Sequence, residues 1–279
     1  MTITRLKPKI LAKPWGRCDL LPAFNGLATG DRVGEIWFEA PDGSERAPLL
    51  IKYLFTSERL SIQVHPDDAQ ARPQGLVSGK DEAWLVVEAE PDASIGLGPR
   101  ESLDREKLRT AALDGTIAEL IDWRRVTADD FFFCPAGTIH AIGAGLKLIE
   151  IQQNVDVTYR LYDYGRAREL HIDQAISALC AEPYRATHQA YRCSDGRDIL
   201  LEGHTIVVER WRGQQRATFD ARPKDHLWLI PLAGESRAAN VAMRPGDVWL
   251  AEGPVSIVLS EDCDLLLAYP GAKVRSQSN

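Results

Sequence analysis

Short runs of apolar, β-branched and aromatic residues recur along most of the chain, with turn residues between one run and the next. Clear examples are residues 47–55 (APLLIKYLF), 226–234 (HLWLIPLAG) and 263–271 (CDLLLAYPG). Runs of this length, bounded by Gly, Pro and Asp, are typical of β-strands. Many such strands at fairly regular intervals favour a jelly-roll or barrel-like sandwich. We therefore predict a mainly β protein.

Helical spacing is confined to two stretches of the sequence. In residues 101–123 the apolar positions recur with helical periodicity and are interrupted at Asp114-Gly115, which predicts two short helices. Residues 168–179 predict one more helix, and residues 1–30 are expected to be irregular. The helices are thus short insertions in a β framework.

Residues 60–82 (LSIQVHPDDAQARPQGLVSGKDE) concentrate candidate metal ligands. Strict alternation in LSIQVHP puts Gln63 and His65 on one face of a strand, which we expect to point away from the packed side. Together with Glu82, these residues form a nitrogen- and oxygen-rich set that is one ligand short of a four-ligand site for a divalent metal. The candidate fourth ligand is His140, in the Gly-punctuated segment FFFCPAGTIHAIG. The remaining histidines lack ligand spacing, namely His171, His188, His204 and His226.

An internal echo suggests that the sandwich is duplicated. Residues 129–143 (DDFFFCPAGTIHAIG) and 245–258 (PGDVWLAEGPVSIV) share an Asp, apolar residues, a Gly turn and a β-branched strand. We predict a metal-binding catalytic domain over residues 1–180, with a helical insertion at about 101–123, and a second sandwich over residues 181–279. The second sandwich is expected to lack metal ligands, because Val255 and Ser256 fall where His140 would be.

Charge and cysteine usage exclude several classes of protein. The 33 basic and 40 acidic residues give a net charge of −7, and no block of Lys or Arg stands out, so we expect no nucleic-acid partner. None of the five cysteines forms a C-x-x-C pair, which argues against a disulfide framework and a thiolate zinc site. No signal peptide and no membrane span are expected, since long apolar runs are missing. A cytoplasmic protein that binds a small molecule fits best, and no pattern predicts its oligomeric state.

Several segments together resemble a known family. SIQVHPDD, GKDEAW, PAGTIHAIG and LIEIQQNVDVTYRLYDYGR resemble the signature segments of class I mannose-6-phosphate isomerases, members of the cupin superfamily. KPWG, GEIW and PLLIKYL resemble the shorter bacterial form of that family. The segments follow a consistent order over residues 13 to about 175, and the C-terminal block agrees in kind but not in motif. The resemblance implies a double cupin, that is, two jelly-roll β-sandwiches in one chain.

The resemblance also implies one Zn²⁺ per chain, held by Gln63, His65, Glu82 and His140. Interconversion of an aldose phosphate and a ketose phosphate moves a proton between C1 and C2 through an enediol or enediolate. Zn²⁺ with an open position can polarise the substrate oxygens as a Lewis acid. The neutral Gln63 amide keeps the net charge of such a site positive. The expected activity is interconversion of mannose 6-phosphate and fructose 6-phosphate.

Three further residues match pocket residues of the family: Arg160, Lys80 and Glu150. The family's active-site arginine falls on Arg160, which could hold an oxyanion or the phosphate by a bidentate contact. Lys80, beside the metal, could have a depressed pKa and shuttle the proton, and Glu150 could do the same. The sequence does not choose between these two bases.

Other functions stay open on the same residues. The set of His65, Glu82 and His140 also suits the two-His, one-carboxylate pattern of iron oxygenases. Another sugar phosphate could be the substrate, because larger family members carry an additional helical domain and only residues 101–123 could replace it here. A third possibility is a sugar-binding or regulatory cupin without turnover.

Overall fold

The computed structural model describes residues 2–27, 30–41, 47–222, 224–271, 273–275 and 277–278. The strands of the first part of the chain are β1 (Thr2–Arg5), β2 (Pro8–Arg17), β3 (Val33–Phe38), β4 (Leu49–Thr56), β5 (Ile62–Val64), β6 (Glu82–Ala89), β7 (Ser94–Pro99), β8 (Ile121–Arg125), β9 (Phe131–Cys134), β10 (His140–Ile142), β11 (Leu146–Gln153) and β12 (Tyr159–Tyr162). The later strands are β13 (Tyr191–Arg192), β14 (Asp198–Glu202), β15 (Ile206–Arg212), β16 (Gln215–Phe219), β17 (His226–Ala233), β18 (Ser236–Ala238), β19 (Val241–Met243), β20 (Trp249–Glu252), β21 (Val255–Leu259), β22 (Asp264–Pro270) and β23 (Gln277–Ser278). The prediction of a mainly β fold is confirmed.

The helices are few and short, as predicted. They are α1 (Asp68–Ala71), α2 (Arg105–Asp114), α3 (Ile117–Leu120) and α4 (Ile172–Ala178), with 3₁₀ helices at Pro22–Leu27 and Arg72–Gln74. The predicted break between two helices is found at Gly115, whose φ of 87° ends α2 in the left-handed conformation that glycine adopts without strain. The predicted insertion ends earlier than residue 123, since β8 begins at Ile121. None of the described helices is long and apolar enough to cross a membrane.

Antiparallel pairing joins the strands into two large and two small sheets. The first part of the chain forms a six-stranded sheet, in the order β2-β3-β4-β11-β6-β9, and a five-stranded sheet, in the order β12-β5-β10-β7-β8. The later part forms a seven-stranded sheet, β1-β20-β17-β22-β15-β14-β13, and a five-stranded sheet, β19-β18-β21-β16-β23. Each pair of sheets encloses an interior, which is the expected double sandwich.

The two large sheets are joined by a common apolar core. It contains Ile51 and Ile149 of the six-stranded sheet together with Trp228 and Leu266 of the seven-stranded sheet, all at most 1% exposed. β1 also crosses over, because Thr2–Arg5 pairs with Trp249–Glu252 of β20. The expectation that residues 1–30 are irregular is therefore wrong for Thr2–Arg5 and Pro8–Arg17, since β1 and β2 both lie in sheets. We keep the division into a first domain to residue 180 and a second from residue 181 as a proposal. β1 belongs to the first domain by sequence but to the sheet of the second by pairing.

The echoed segments occupy matching places in the two sandwiches. In each copy the first strand, β9 or β20, lies in a large sheet, and the chain then crosses to β10 or β21 in the facing small sheet. The crossing turn in the first copy carries Gly137 and in the second Gly253, with φ of 85° and 83°. These glycines allow a reversal that a side chain would strain.

The five-stranded sheet β12-β5-β10-β7-β8, which we call the first small sheet, is covered by helices on its outer face. Ile62 and Val64 of β5 pack in one buried cluster with Leu108 of α2 and Ile176 of α4. This packing means that the apolar face of β5 points outward, toward the helices. The polar face of β5 therefore points into the sandwich interior.

We expect Leu108→Ala to lower the free energy of unfolding by about 2–5 kcal/mol, because Leu108 is fully buried and its removal leaves a cavity. Chemical denaturation followed by circular dichroism measures this loss. Leu113→Ala on the same helix is the control: Leu113 is 67% exposed, so its truncation should change stability by no more than about 0.5 kcal/mol. Equal effects of the two substitutions would contradict the packing of α2 on β5.

Candidate metal centre

A row of three predicted site residues crosses the first small sheet. Gln63 on β5 lies opposite Arg160 on β12 and opposite His140 on β10. Residues directly opposite one another in a sheet project from the same face. Because the other face of β5 packs on the helices, this row points into the sandwich interior. The polar face does lie away from the packed apolar side of β5, as expected, but the sequence did not show that it points into the sandwich interior.

The remaining two predicted ligands complete a buried group. His65 follows β5 directly, and Glu82 begins β6 in the large sheet that faces it. His65 Nε2 lies 3.3 Å from Glu82 Oε1, and His140 Nε2 lies 3.5 Å from Glu82 Oε2. The candidate ligand atoms of these three residues are all within 4.8 Å of one another, and each residue is at most 2% exposed.

The polar atoms of this group converge without satisfying one another. Both ring nitrogens of His65 and Oε2 of Glu82 are buried with no hydrogen-bond partner, although the His65 and Glu82 atoms are close. Buried polar groups are nearly always paired, so such orphans need an explanation. A cation between the three side chains would satisfy the lone-pair nitrogen of His65 and Oε2 of Glu82, and two imidazoles with one carboxylate are a donor set that binds Zn²⁺ and other divalent metals. The residues fit a metal ion.

His140 is oriented for this role by the backbone. Its Nδ1 lies 2.9 Å from the Thr138 carbonyl oxygen, which assigns the ring proton to Nδ1 and leaves a lone pair on Nε2. The Gln63 side-chain NH₂ donates to this Nε2 over 3.2 Å, while Ser61 Oγ donates to Gln63 Oε1 over 2.9 Å. For its carbonyl oxygen to ligate a metal, the Gln63 amide would have to turn over, and its NH₂ would then donate to Ser61. Gln63 as a fourth ligand stays a prediction.

Electrostatics keep the group in its metal-binding protonation state. Burial opposes ionisation of Glu82, but the Lys80 charge and the two histidines outweigh it and hold the pKa of Glu82 well below its ordinary value. Burial, reinforced by the Lys80 cation, lowers the pKa of His65 to about 3, and burial also lowers the pKa of His140. The histidines are therefore neutral and the glutamate charged, as metal ligands must be.

Lys80 is held as an ammonium by neighbouring carboxylates. Its Nζ lies 2.9 Å from Glu82 Oε1. Burial disfavours the ammonium form, but the carboxylates of Glu82 and Glu150 outweigh burial and raise the pKa of Lys80. The predicted depression of this pKa refers to Lys80 beside a bound metal and stays a prediction. A divalent cation on Glu82 would act in the opposite direction.

Beside the group lies a polar cavity of about 240 Å³, whose walls include Lys80, Glu82, Glu150, Gln63 and Arg160. All three predicted catalytic residues, Lys80, Glu150 and Arg160, therefore line the same cavity. A larger cavity of about 370 Å³ contains none of the predicted site residues and lies between the two large sheets.

Glu150 is held in place by two donors. Lys52 Nζ lies 3.0 Å from its Oε1, and Trp84 Nε1 donates to its Oε2 over 3.0 Å. Trp84, Glu150, Lys52 and Trp37 lie opposite one another across β6, β11, β4 and β3, and form a second row that faces the first. Each Glu150 oxygen keeps a further lone pair.

Arg160 is the cation of the cavity that is least tied to the protein. Its Nε is buried without a hydrogen-bond partner, and among the described residues no carboxylate pairs with it, whereas its neighbour Arg168 is clamped by Asp163 at 2.6 Å. Burial and the Arg168 charge lower the pKa of Arg160, but an arginine pKa is so high that the guanidinium stays charged. Such an arginine is available for an anion.

Sequence reasoning missed other residues of this cavity wall, notably Asp156, Lys52 and Arg168. Lys52 interrupts an otherwise apolar strand, and a buried strand with one lysine is a signal that could have identified it. Asp156 and Arg168 lie outside regular strands, and no spacing pattern distinguishes them.

In the second sandwich the corresponding register positions carry weak ligands or none. β21 pairs with β16 as β10 pairs with β5, and β17 pairs with β20 as β6 pairs with β9. The positions that match His140, Gln63 and Glu82 carry Ser256, Thr218 and Leu227. Among the described residues, one group of His, Cys, Asp or Glu that could hold a metal is found, the one above. We keep the absence of ligands from the second domain as a proposal.

The chain is similar in sequence and in structure to mannose-6-phosphate isomerases. The chain is 33% identical over 263 residues to mannose-6-phosphate isomerase of Streptococcus mutans, covering 85% of this chain and 82% of that protein. It is 39% identical over 230 residues to mannose-6-phosphate isomerase ManA of Bacillus subtilis, covering 76% and 72%. The crystal structure of mannose 6-phosphate isomerase from Bacillus subtilis superposes with a TM-score of 0.82 at 24% identity, over 96% of this chain and 100% of that one. No family model matches the chain.

Proposed function

The chain belongs to the mannose-6-phosphate isomerase family, and from this we propose that it interconverts mannose 6-phosphate and fructose 6-phosphate with one Zn²⁺ per chain. The observation that carries the proposal is the buried group of His65, Glu82 and His140 beside a polar cavity, in which His65 and Glu82 Oε2 have no hydrogen-bond partner. A free arginine on the wall of the same cavity supplies the cation that a sugar phosphate needs.

The metal would be held by His65, Glu82 and His140, with Gln63 as the proposed fourth ligand. When bound, it supplies Lewis-acid polarisation of the substrate oxygens at C1 and C2. The protein keeps these ligands in the right state before substrate arrives, because His140 is fixed by Thr138 and Glu82 by the Lys80 charge. Preorganisation of this kind lowers the cost of reaching the charged transition state.

Two groups on the cavity wall can move the proton between C1 and C2. Glu150, held by Lys52 and Trp84, is a fixed carboxylate that could accept a proton from carbon. Lys80, as an ammonium, can donate a hydrogen bond to a developing oxyanion, and it becomes a base only if a bound cation lowers its pKa. We propose that these two residues divide the proton transfer and the charge stabilisation between them.

Arg160 binds the anionic part of the substrate in this proposal. The guanidinium presents paired N–H donors that match a phosphate or an enediolate oxygen pair. Because no described carboxylate competes for it, binding an anion there breaks no existing ion pair. The residue opposite it on β5 is Gln63, so an anion on Arg160 lies one strand away from the metal group.

We also propose that the protein works in the cytoplasm on a small sugar phosphate. Its five cysteines are free thiols, as a reducing compartment would keep them. The polar cavity suits a small, charged substrate. No basic block in the sequence suggests nucleic acid.

Removal of the metal is expected to abolish turnover reversibly. A coupled assay measures fructose 6-phosphate formed from mannose 6-phosphate, on protein whose metal content has been determined. We expect a chelator to stop the reaction and Zn²⁺ to restore it, because polarisation of the substrate oxygens is worth several kcal/mol. Adding the chelator to the coupling enzymes with fructose 6-phosphate alone controls for effects on the assay. Full metal occupancy with no turnover would overturn the proposed reaction.

A further inference from the structure

Asp81 lies between Lys80 and the metal-ligand candidate Glu82, and every one of its polar groups is used. Its backbone N–H donates to Gln153 Oε1 over 2.9 Å, and its carbonyl oxygen accepts from Gln153 N over 3.1 Å. Its carboxylate accepts from Ala136 N at 2.8 Å and from Thr205 Oγ1 at 2.6 Å. An oxygen–oxygen distance of 2.6 Å is typical of a strong, charge-assisted hydrogen bond.

The turn at residues 135–138 connects this carboxylate to the two histidines. Ala136 N donates to Asp81, and the next residue, Gly137, donates its N–H to the His65 carbonyl oxygen over 2.8 Å. The carbonyl oxygen of Thr138 then accepts from His140 Nδ1. One short turn therefore touches the backbone or ring of both imidazole ligand candidates, and Asp81 anchors the turn beside the carboxylate ligand candidate.

Thr205 approaches this network from the later part of the chain. It lies in the turn between β14 and β15, which belong to the seven-stranded sheet, and its hydroxyl is 124 residues away in sequence from the carboxylate it contacts. Thr205 does not line the cavity beside the metal group. Any effect of Thr205 on that group must therefore pass through Asp81.

We infer that Thr205 and Asp81 are positioning residues, through which the seven-stranded sheet of the second sandwich holds the metal ligands in place. The inference rests on the proposed metal site. Without the Thr205 hydroxyl, one Asp81 oxygen loses its donor and the carboxylate can rotate away from Ala136. The turn then loses one of its anchors, while the bonds from Gly137 N to the His65 carbonyl and from Cys180 N to the Gly137 carbonyl remain, and the His140 ring loses part of its fixed orientation. Partners that hydrogen-bond a ligand directly, as the Thr138 carbonyl does, affect metal affinity by about 10–100-fold. Thr205 acts through further contacts, so we expect its effect at the lower end of that range.

The test compares Thr205→Val, which keeps the shape and removes the hydroxyl, with Thr205→Ser, which keeps the hydroxyl. The dissociation constants for Zn²⁺ and Co²⁺ are measured by competition with a chelator, and the visible absorption of bound Co²⁺ reports the geometry of its ligands. We expect Thr205→Val to weaken metal binding about 10-fold and to change the Co²⁺ spectrum. Thr205→Ser should remain close to the unmodified protein in both measurements. Excess Zn²⁺ should restore most of the kcat of Thr205→Val, with KM unchanged.

Asp81→Asn provides a second variant in case Thr205→Val folds poorly, since the amide keeps the shape of the carboxylate but not its charge. It should weaken metal binding in the same direction. Equal metal affinities and Co²⁺ spectra for Thr205→Val and Thr205→Ser would overturn the inference, and so would a loss of stability in Thr205→Val without any change in metal affinity. Unmodified protein that binds Co²⁺ but does not convert mannose 6-phosphate would overturn the proposed function alone, because the affinity comparison would still decide the role of Thr205. Unmodified protein that binds no metal would overturn both.

Discussion

His140→Ala is expected to lose bound zinc and isomerase activity together. The substitution removes one of two neutral imidazoles from a group in which His140 Nε2 lies 3.5 Å from Glu82 Oε2. It leaves His65 and Glu82 with the weakly coordinating amide of Gln63. Because the Lewis-acid contribution of a metal is several kcal/mol and each 1.36 kcal/mol changes a rate tenfold, we expect a loss on the order of 10³-fold in kcat. Zinc content after dialysis and the coupled assay measure the two effects.

His204→Ala is the matched control for this experiment. His204 also carries an imidazole, but its side chain is exposed and it lies outside the metal group. Its removal should leave zinc content and rate unchanged. If His140→Ala kept both the zinc and the rate of the unmodified protein, His140 would have no place in the site.

The spacing of the ligands along the chain could be predicted from sequence, but their side of the sheet could not. Alternation in residues 60–65 correctly put Gln63 and His65 on one face. It could not show that both faces of β5 are buried, since Ile62 and Val64 pack on helices that come more than forty residues later. A strand covered on both sides looks the same in sequence as a strand covered on one. The separation of a polar from an apolar face could therefore be predicted, but not that the polar face is the one inside the sandwich.

The pairing of strands from distant parts of the chain could not be derived from local pattern. Gln63 and His140 are 77 residues apart and meet because β5 and β10 pair in one register. Local pattern does not determine register between such strands. The residue pattern suggested His140 and the resemblance supplied Arg160, but neither supplied Thr205, whose contact with Asp81 depends on how the second sandwich lies against the first. The contribution of Glu150 to the raised pKa of Lys80 was likewise not predictable, because Glu150 lies on β11, seventy residues along the chain.

Arg160→Lys tests the anion-binding side of the proposed site, and we expect it to keep the metal and lose most of the turnover. Arg160 lies opposite Gln63 rather than in the ligand group, so zinc content should not change. Lysine keeps the charge but presents a single ammonium in place of the planar pair of donors. Loss of one well-placed group that stabilises developing charge costs about 10²–10³-fold in kcat. Steady-state kinetics on metal-analysed protein measure the change.

The division of the effect between kcat and KM identifies what Arg160 binds. If its guanidinium holds the phosphate equally in substrate and transition state, KM rises and kcat changes little; if it stabilises an oxyanion that exists only in the transition state, kcat and kcat/KM fall together. The free Nε and the short distance in the sheet to Gln63 favour the second result. Arg125→Lys, at a side chain that is 81% exposed, should change neither constant. An Arg160→Lys enzyme with unchanged kcat and KM would remove Arg160 from the mechanism and transfer anion binding to the lysines of the same cavity.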